Sequence, residues 1–306
     1  MLYAGEGMTD RRSETSHLVA SSMALFNLLR NRQISVCKAL RHPALFVRQC
    51  LRTYRHVEGS IGVVVACRNY GVYLKDTVES CIYQTRPPQL IVIVDDFSED
   101  DSVEVAQNLV DRYSEVYLLR NSSHMGVSAT RNRGIAACKT DYVMILDADD
   151  LLEPRYFEEV AKILDMDPSV AIAYSSYREF GERERLVTLP PFDRTALLTD
   201  CIIMGCSLVR RSVLETVGGY DSQQIFEDWE LWIRIAGEGW NAKGIQRHYY
   251  LYRVHEKSKD AAANLMRRTG EDMIYERHRR LYEQAGIGRE NGQWRGGRFF
   301  PARQIR

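Results

Sequence analysis

Four short apolar runs, separated by segments with helical spacing, constrain the fold of this chain more than any other feature. The runs cover residues 61–66, 90–94, 116–119 and 142–146 of 306. Continuous apolar runs of this length are typical of strands buried on both faces. Their alternation with amphipathic segments predicts an α/β fold, with a mostly parallel sheet and right-handed crossovers.

Carboxylates follow the second and the fourth apolar run. Asp95 and Asp96 come after the second run, and Asp147, Asp149 and Asp150 come after the fourth. Because the carboxyl ends of parallel strands meet at one edge of a sheet, where α/β proteins bind ligands, we expect the two groups to converge. The loop that follows the first run should lie at the same edge.

The spacing of Asp147 and Asp149 suits a divalent metal ion. Close carboxylates repel one another unless a cation lies between them. Oxygen ligands are those that Mg²⁺ and Mn²⁺ prefer. A solvated acidic turn before the next helix is the alternative for residues 147–150 taken alone, and the expected convergence with Asp95 and Asp96 favours the metal site.

The charge of the chain sums to zero but is unevenly distributed. Lys and Arg outnumber Asp and Glu by nine to four in residues 1–58 and by ten to five in residues 261–306, whereas residues 59–260 carry 22 against 32. An acidic body argues against a dedicated nucleic-acid-binding protein, since phosphate neutralisation dominates such binding. The basic ends fit anionic lipid, an acidic partner or ordinary solvated surface.

The ends also set the expected domain organisation. Residues 1–58 are predicted to form a basic helical N-terminal extension, residues 59–260 the main domain, and residues 261–306 a helix and a basic tail. The amphipathic stretch 13–55 could pack on the main domain, dock an oligomer partner or lie on a membrane surface. Seven scattered cysteines without a CxxC pair, no membrane-spanning run and no secretory signal indicate a cytoplasmic protein.

Six motifs occur in a fixed order between about residues 59 and 259. They are VVVACRN (63–69), VDDFSED (94–100), GVSATRNRG (126–134), LDADD (146–150), GGYD (218–221) and EDWELW (227–232). In this order they resemble the family 2 glycosyltransferases, which have the GT-A fold. The resemblance implies metal-dependent transfer of one sugar, with inversion, from a nucleotide-sugar donor to the hydroxyl of a saccharide or lipid-linked acceptor.

The resemblance implies a role for the loop after the first strand and for the Asp pair after the second. Ala66, Cys67, Arg68 and Asn69 would line the nucleobase, and Asp96 would bind its edge. Related enzymes have an aromatic residue at position 68. Stacking on the base would therefore come from the Arg side chain or from Tyr70, which leaves a GDP- or TDP-sugar open beside the favoured UDP-sugar.

The remaining site residues are also carried over from the resemblance. Arg131 would lie near the nucleotide. Asp147, Ala148 and Asp149 would bind the donor diphosphate. The two carboxylates would hold Mn²⁺ or Mg²⁺, with His255 as a further ligand.

The acceptor side is assigned to the last motif. Asp228 would be the general base, with Glu227 and Trp229 beside the acceptor. Two other functions fit the same fold. A sugar nucleotidylyltransferase would need a glycine-rich loop for a triphosphate after the first strand, and residues 67–71 contain one glycine. A non-catalytic sugar-nucleotide-binding protein would be expected to lack Asp149 or Asp228.

Overall fold

The computed structural model describes residues 59–255 and 266–296. The helical extension predicted for residues 1–58, with its predicted contacts to a membrane or an oligomer partner, lies outside the described residues. Within the described part, no helix combines enough length with enough apolar character to cross a bilayer.

The first half of the sheet is parallel, as predicted. Its strands are β1 (Ile61–Cys67), β2 (Leu90–Asp95), β3 (Val116–Arg120) and β4 (Tyr142–Asp147), in the order β3-β2-β1-β4. All four run in the same direction. The register sets Ala66 beside both Val94 and Asp147, so the loops after these strands open at one edge, as the sequence predicted.

Four helices connect and cover these strands. They are α1 (Gly71–Ile82), α2 (Ser102–Arg112), α3 (Val127–Ala137) and α4 (Tyr156–Met166). The pattern Ser98-x-x-Asp101 predicts the start of α2 at Ser98, and this start is wrong. The carboxylate of Asp100 instead accepts from the Ser102 amide, and the Ser98 hydroxyl accepts from the Asn69 amide. The Ser98 side chain therefore links two loops rather than capping the helix.

The second half of the sheet contains antiparallel strands and is more extended than the sequence predicts. Its strands are β5 (Leu151–Leu152), β6 (Val170–Gly181), β7 (Arg185–Val187), β8 (Leu208–Arg210) and β9 (Asn241–Val254). The order continues β4-β8-β6-β9-β5, with β7 paired to β6 as the outer strand of a hairpin. The sequence indicates short strands at residues 170–174 and 249–254, and each of these proves to be one end of a longer strand.

The remaining helices of this half are α5 (Arg194–Leu197), α6 (Arg211–Val217) and α7 (Glu227–Gly237). Helix α6 ends at Gly218, whose left-handed φ of +82° closes the helix as glycine does. Helix α7 is buried on most of its sides, as its sequence predicts, and its first turn carries Glu227 and Asp228. Carboxylates in the first turn are stabilised by the positive end of the helix dipole.

The C-terminal segment, residues 266–296, packs against α7. It contains α8 (Arg267–Arg277), α9 (Arg279–Gln284) and the hairpin β10 (Gly288–Glu290) and β11 (Gln293–Arg295), which the sequence did not predict. The fully buried Glu230 carboxylate accepts from Arg234, Arg277 and His278. One carboxylate thus ties the C-terminal helices to the helix that carries Asp228.

Candidate active site

The acidic turn, residues 147–150, follows directly from β4. The Asp147 side chain is 40% exposed and the Asp149 side chain 17% exposed, whereas Asp150 is buried. The Cys206 thiol lies 3.7 Å from the Asp147 carboxylate. Ligand atoms of Asp147, Asp150 and Cys206 lie within 4.8 Å of one another, so they could share a metal ion.

Residues at the end of β9 hold the acidic turn through hydrogen bonds. The Arg253 amide donates to Asp150 at 2.7 Å, and the Tyr250 hydroxyl also contacts this carboxylate. The Arg253 Nε donates to the Asp149 carbonyl oxygen at 2.7 Å. The His255 ring lies 2.9 Å from the Asp149 carboxylate. His255 therefore lies beside Asp149 in this structure, and metal binding by this side chain stays a prediction.

Asp150 has a structural contact that the sequence did not reveal. Its position after β4 allowed it to begin the next helix, but it precedes the short strand β5 and accepts from β9 instead. Burial, followed by the charge of Asp149, raises the pKa of Asp150 well above its ordinary value. Burial and the charge of Asp147 also raise the pKa of Asp149.

Burial is the main cause of both shifts, and the charges of the neighbouring carboxylates add to it. Carboxylates with raised pKa values gain stability when a cation binds beside them. The ligand cluster found among the described residues contains Asp147 but not its predicted partner Asp149. The carboxylate oxygen atoms of the turn are of the type that Mg²⁺ and Mn²⁺ prefer. The residues of the acidic turn therefore fit a divalent metal ion.

Arg131 connects the acidic turn to helix α7. Its guanidinium donates to Asp147, Glu227 and Asp228, each at 2.9 Å. The side chain is 6% exposed and lies 5.2 Å from the centre of the Tyr220 ring. The sequence predicted a nucleotide contact for Arg131, whereas this structure pairs it with three carboxylates.

Glu227 and Asp228, at the start of α7, form a second acidic group around Arg131. Burial raises the pKa of Asp228 to about 7; the Arg131 charge opposes this shift, and the charges of Glu227 and Asp147 add to it. A Cβ atom on Gly205 would lie 2.3 Å from the Asp228 carboxylate, so the backbone of residue 205 packs directly against it. A carboxylate with a pKa near 7 suits general-base catalysis near neutral pH.

Asp96 is held by hydrogen bonds from the segment before α3. One oxygen accepts from the Asn121 amide group and the Met125 backbone, and the other from the His124 ring and the Gly126 backbone. Burial acts to raise its pKa, but these hydrogen bonds outweigh it and lower the pKa. A nucleobase contact at Asp96, which stays a prediction, would have to share or replace one of these partners.

The loop after β1 is fixed to the loop after β2. Asn69 has a left-handed φ of +58°, and its side chain accepts from the Glu99 amide at 2.8 Å. Cys67 is buried, and burial raises the pKa of its thiol to about 11. Arg68 is half-buried. Residues 66–69 therefore form one wall of the edge at which the acidic turn also opens.

Two further predicted residues lie deeper than a ligand contact requires. The Trp229 ring is buried, and its Nε1 donates to the Leu197 carbonyl oxygen at 2.6 Å. Ala148 is buried, and its carbonyl oxygen accepts from the Thr77 hydroxyl. Their assignments to the acceptor and the donor stay predictions, but in this structure both side chains belong to the core.

The sequence analysis gave no role to four residues that shape the site. Tyr220 lies under Arg131, Cys206 lies beside Asp147, and Tyr250 and Arg253 hold the acidic turn. Arg253, at the end of β9, and His255, just after it, are two residues apart, a spacing that in extended chain places side chains on one face. That spacing was the available signal for Arg253. Nothing in the sequence linked Cys206 to the acidic turn.

Comparison with known proteins identifies the family. The model of glycosyl transferase family 2 matches residues 62–218, which cover β1 to β4 and the strands up to the end of α6. The chain belongs to this family. The prediction made from the six motifs is thereby confirmed.

Curated relatives and solved structures agree with this assignment. An uncharacterized glycosyltransferase of Escherichia coli, YibD, is 28% identical over 71% of this chain and 67% of its own length. WfaP of Escherichia coli, a β-1,3-glucosyltransferase that acts on α-D-GlcNAc-diphosphoundecaprenol, is 27% identical over 66% of this chain and 80% of its own length.

Two solved structures share the fold. TarS of S. aureus, solved with UDP-GlcNAc, has a TM-score of 0.57 at 15% identity, over 66% of this chain and 61% of its own chain. The mannosyltransferase PcManGT of Pyrobaculum calidifontis, solved with GDP-Man and Mn²⁺, has a TM-score of 0.58 at 17% identity, over 79% and 74%. The mixed sheet flanked by helices is therefore a GT-A fold, as predicted.

Proposed function

We propose that this glycosyltransferase moves one sugar from a nucleotide-sugar donor to an acceptor hydroxyl, with Mn²⁺ or Mg²⁺ and with inversion at the anomeric carbon. One observation carries the proposal: Arg131 joins Asp147, at the end of β4, to Asp228, at the start of α7. A group suited to a cation and a group suited to a proton therefore lie on either side of one guanidinium.

Asp147 and Asp149 would hold the metal ion, with His255 beside them. A bound divalent cation supplies the neutralisation of charge that a diphosphate leaving group needs. Arg253 stiffens the turn through its contacts with Asp149 and Asp150. The relatives solved with UDP-GlcNAc or with GDP-Man and Mn²⁺ support a nucleotide-sugar donor.

Asp228 would accept the proton of the acceptor hydroxyl as its oxygen attacks the anomeric carbon. In the same step the bond between that carbon and the diphosphate oxygen breaks, and the nucleoside diphosphate leaves. Arg131 holds Asp228 in position and favours its ionised form. A single displacement of this kind, with one base and no nucleophilic carboxylate, inverts the configuration.

The acceptor we propose is a saccharide, either free or linked to a lipid. Support comes from relatives whose names give GlcNAc-diphosphoundecaprenol as the acceptor. A UDP-sugar is the donor we favour.

Calorimetry with UDP, GDP, TDP and CDP, each with and without Mn²⁺, tests donor binding. We expect at least one diphosphate to bind, and to bind more tightly with Mn²⁺. Absence of metal-dependent binding for all four would contradict the proposal. The tightest base then guides a screen of sugar donors in which product mass identifies the sugar, and NMR of the product gives its anomeric configuration.

A further inference from the structure

Phe97 has a backbone conformation that phenylalanine rarely adopts. Its φ of +62° lies in the left-handed region, which is unfavourable for bulky side chains. Among the described residues, the other non-glycine residues with positive φ are Asn69 and Asn291, and asparagine tolerates this conformation. The loop after β2 therefore carries a side chain that its own backbone disfavours.

Core packing does not account for this side chain. Phe97 is 48% exposed, and it is not among the described side chains that pack on the hydrophobic core. Strained residues of this kind cluster at ligand-binding sites, where the strain is retained for function.

A second exposed apolar side chain belongs to a residue that binds Asp96, the residue before Phe97. Met125 is 51% exposed, and its amide donates to Asp96 at 2.8 Å. Phe97 follows Asp96 directly in the chain. The backbone of Asp96 and the backbone that binds its carboxylate therefore each carry an exposed apolar side chain, next to the residue that the family resemblance assigns to the edge of the nucleobase. A flat apolar ligand with a polar edge fits this arrangement.

The loop contacts bring Phe97 next to the β1 loop. The Asn69 amide donates to the Ser98 hydroxyl at 3.0 Å, and the Asp96 amide donates to the Cys67 carbonyl oxygen at 2.8 Å. Arg68 and Phe97 are the chain neighbours of these bonded residues. They therefore belong to the same wall of the site.

Tyr70, the other aromatic candidate for the base, faces elsewhere. Its ring centre lies 5.8 Å from that of His255 and 6.1 Å from that of Tyr73. Burial, together with the charge of Asp149, raises its pKa to about 12. Tyr70 therefore lies towards the acidic turn, whereas Phe97 is an exposed aromatic residue that follows Asp96 directly in the chain.

We propose that Phe97 is the aromatic face on which the donor's nucleobase stacks, and that its strained backbone is retained for this contact. The inference rests on the proposed function, because it requires a nucleotide donor. Aromatic stacking is tolerant of base identity, since every base has a π face. Phe97 therefore strengthens binding of the nucleoside whichever base the enzyme selects.

The test compares Phe97→Gly with the unchanged chain in Mn²⁺, using two probes. The first is the nucleoside diphosphate that binds tightest, and the second is inorganic pyrophosphate, which has no base. We expect Phe97→Gly to weaken diphosphate binding about tenfold or more and to leave pyrophosphate binding unchanged. We expect Phe97→Trp, which keeps an aromatic ring, to retain most of the affinity.

The melting temperature distinguishes this binding role from a packing role, because loss of a packed ring would lower it. Glycine relieves the strain at a positive φ, so the melting temperature of Phe97→Gly should not fall. Asn291→Gly, at a φ of +51° in the turn between β10 and β11, is the matched control. It should leave the binding of both probes unchanged.

Three results would overturn the inference. In the first, Phe97→Gly binds the nucleoside diphosphate within twofold of the unchanged chain, as it would if the ring served a membrane or a protein partner. In the second, it weakens pyrophosphate equally. In the third, its melting temperature falls by several degrees. If the unchanged chain binds neither probe, the proposed function fails and the inference fails with it.

Discussion

The two acidic groups of this enzyme differ in how their charge is compensated. Asp149 and Asp150 of the acidic turn are held by Tyr250, Arg253 and His255, at the end of β9 and directly after it. Glu227 and Asp228 on α7 share the buried Arg131 guanidinium, which also reaches Asp147 of the turn. Burial raises the pKa of Asp149, Asp150 and Asp228 alike, so the partners distinguish the two groups: the proposed cation site contacts the end of β9, and the proposed base lies on α7 beside Arg131.

Changing Asp228 gives the largest expected loss of activity. We expect Asp228→Asn to lower kcat about 10²–10⁴-fold, because a positioned base contributes that much, while donor binding with Mn²⁺ is retained. Steady-state kinetics and calorimetry on the same preparation measure both. Asp221→Asn, which removes a carboxylate paired with Arg277, is the control. Near-normal turnover of Asp228→Asn would exclude it as the base.

Removing Arg131 should lower stability, and it should also lower activity because Arg131 holds Asp228 in position. Arg131→Met leaves the carboxylates of Asp147, Glu227 and Asp228 without their shared counter-ion, and breaking a buried ion pair in this way costs about 3–5 kcal/mol. Urea unfolding measures the loss. Arg155→Met, which removes exposed ion pairs, should change stability little. Equal stability of the two variants would show that Arg131 is not the counter-ion that holds the two groups together.

The pH dependence of kcat/KM tests the assignment of Asp228 through a smaller effect. Asp228 must be ionised to act, and its pKa in the free enzyme is about 7. We therefore expect kcat/KM to fall about tenfold per pH unit below pH 7. Glu227→Gln should move this limb to lower pH, because the Glu227 charge helps to raise the pKa. A profile that stays flat down to pH 5 would contradict the assignment.

The raised pKa of Asp228 makes stability change with pH in the direction opposite to activity. A carboxyl group whose pKa rises from 3.8 to about 7 on folding binds its proton more tightly in the folded state. Its contribution to stability is therefore present at low pH and is lost as the pH rises through about 7. Activity should increase over the range in which this contribution to stability declines.

The sequence predicted the first half of the sheet well, for a physical reason. Strands β1 to β4 are buried on both faces, so they read as unbroken apolar runs, and parallel pairing fixes which ends meet. Asp96, Asp147 and Asp149 could therefore be placed at one edge before any coordinates. The wrong helix start at Ser98 arose because its side chain bonds to Asn69, in another loop.

The second half of the sheet was harder to predict because its strands contain buried polar residues. Strand β6 continues past Tyr174 through Ser175, Ser176 and Glu179, and the Glu179 carboxylate is paired with Arg185. This pair is six residues apart and forms across the β6–β7 hairpin, so the sequence of β6 alone does not show that its buried carboxylate is compensated. The contact between Arg131 and Asp228 spans 97 residues, and no local pattern reveals it.

The difference between the two groups is tested most directly by nucleotide binding to Asp149→Ala and Asp228→Asn. Both variants are titrated by calorimetry with the tightest-binding nucleoside diphosphate, with and without Mn²⁺. The account predicts that Asp149→Ala loses the metal-dependent part of the affinity and that Asp228→Asn keeps it. Normal Mn²⁺-dependent binding by Asp149→Ala would contradict the assignment of the acidic turn as the metal site.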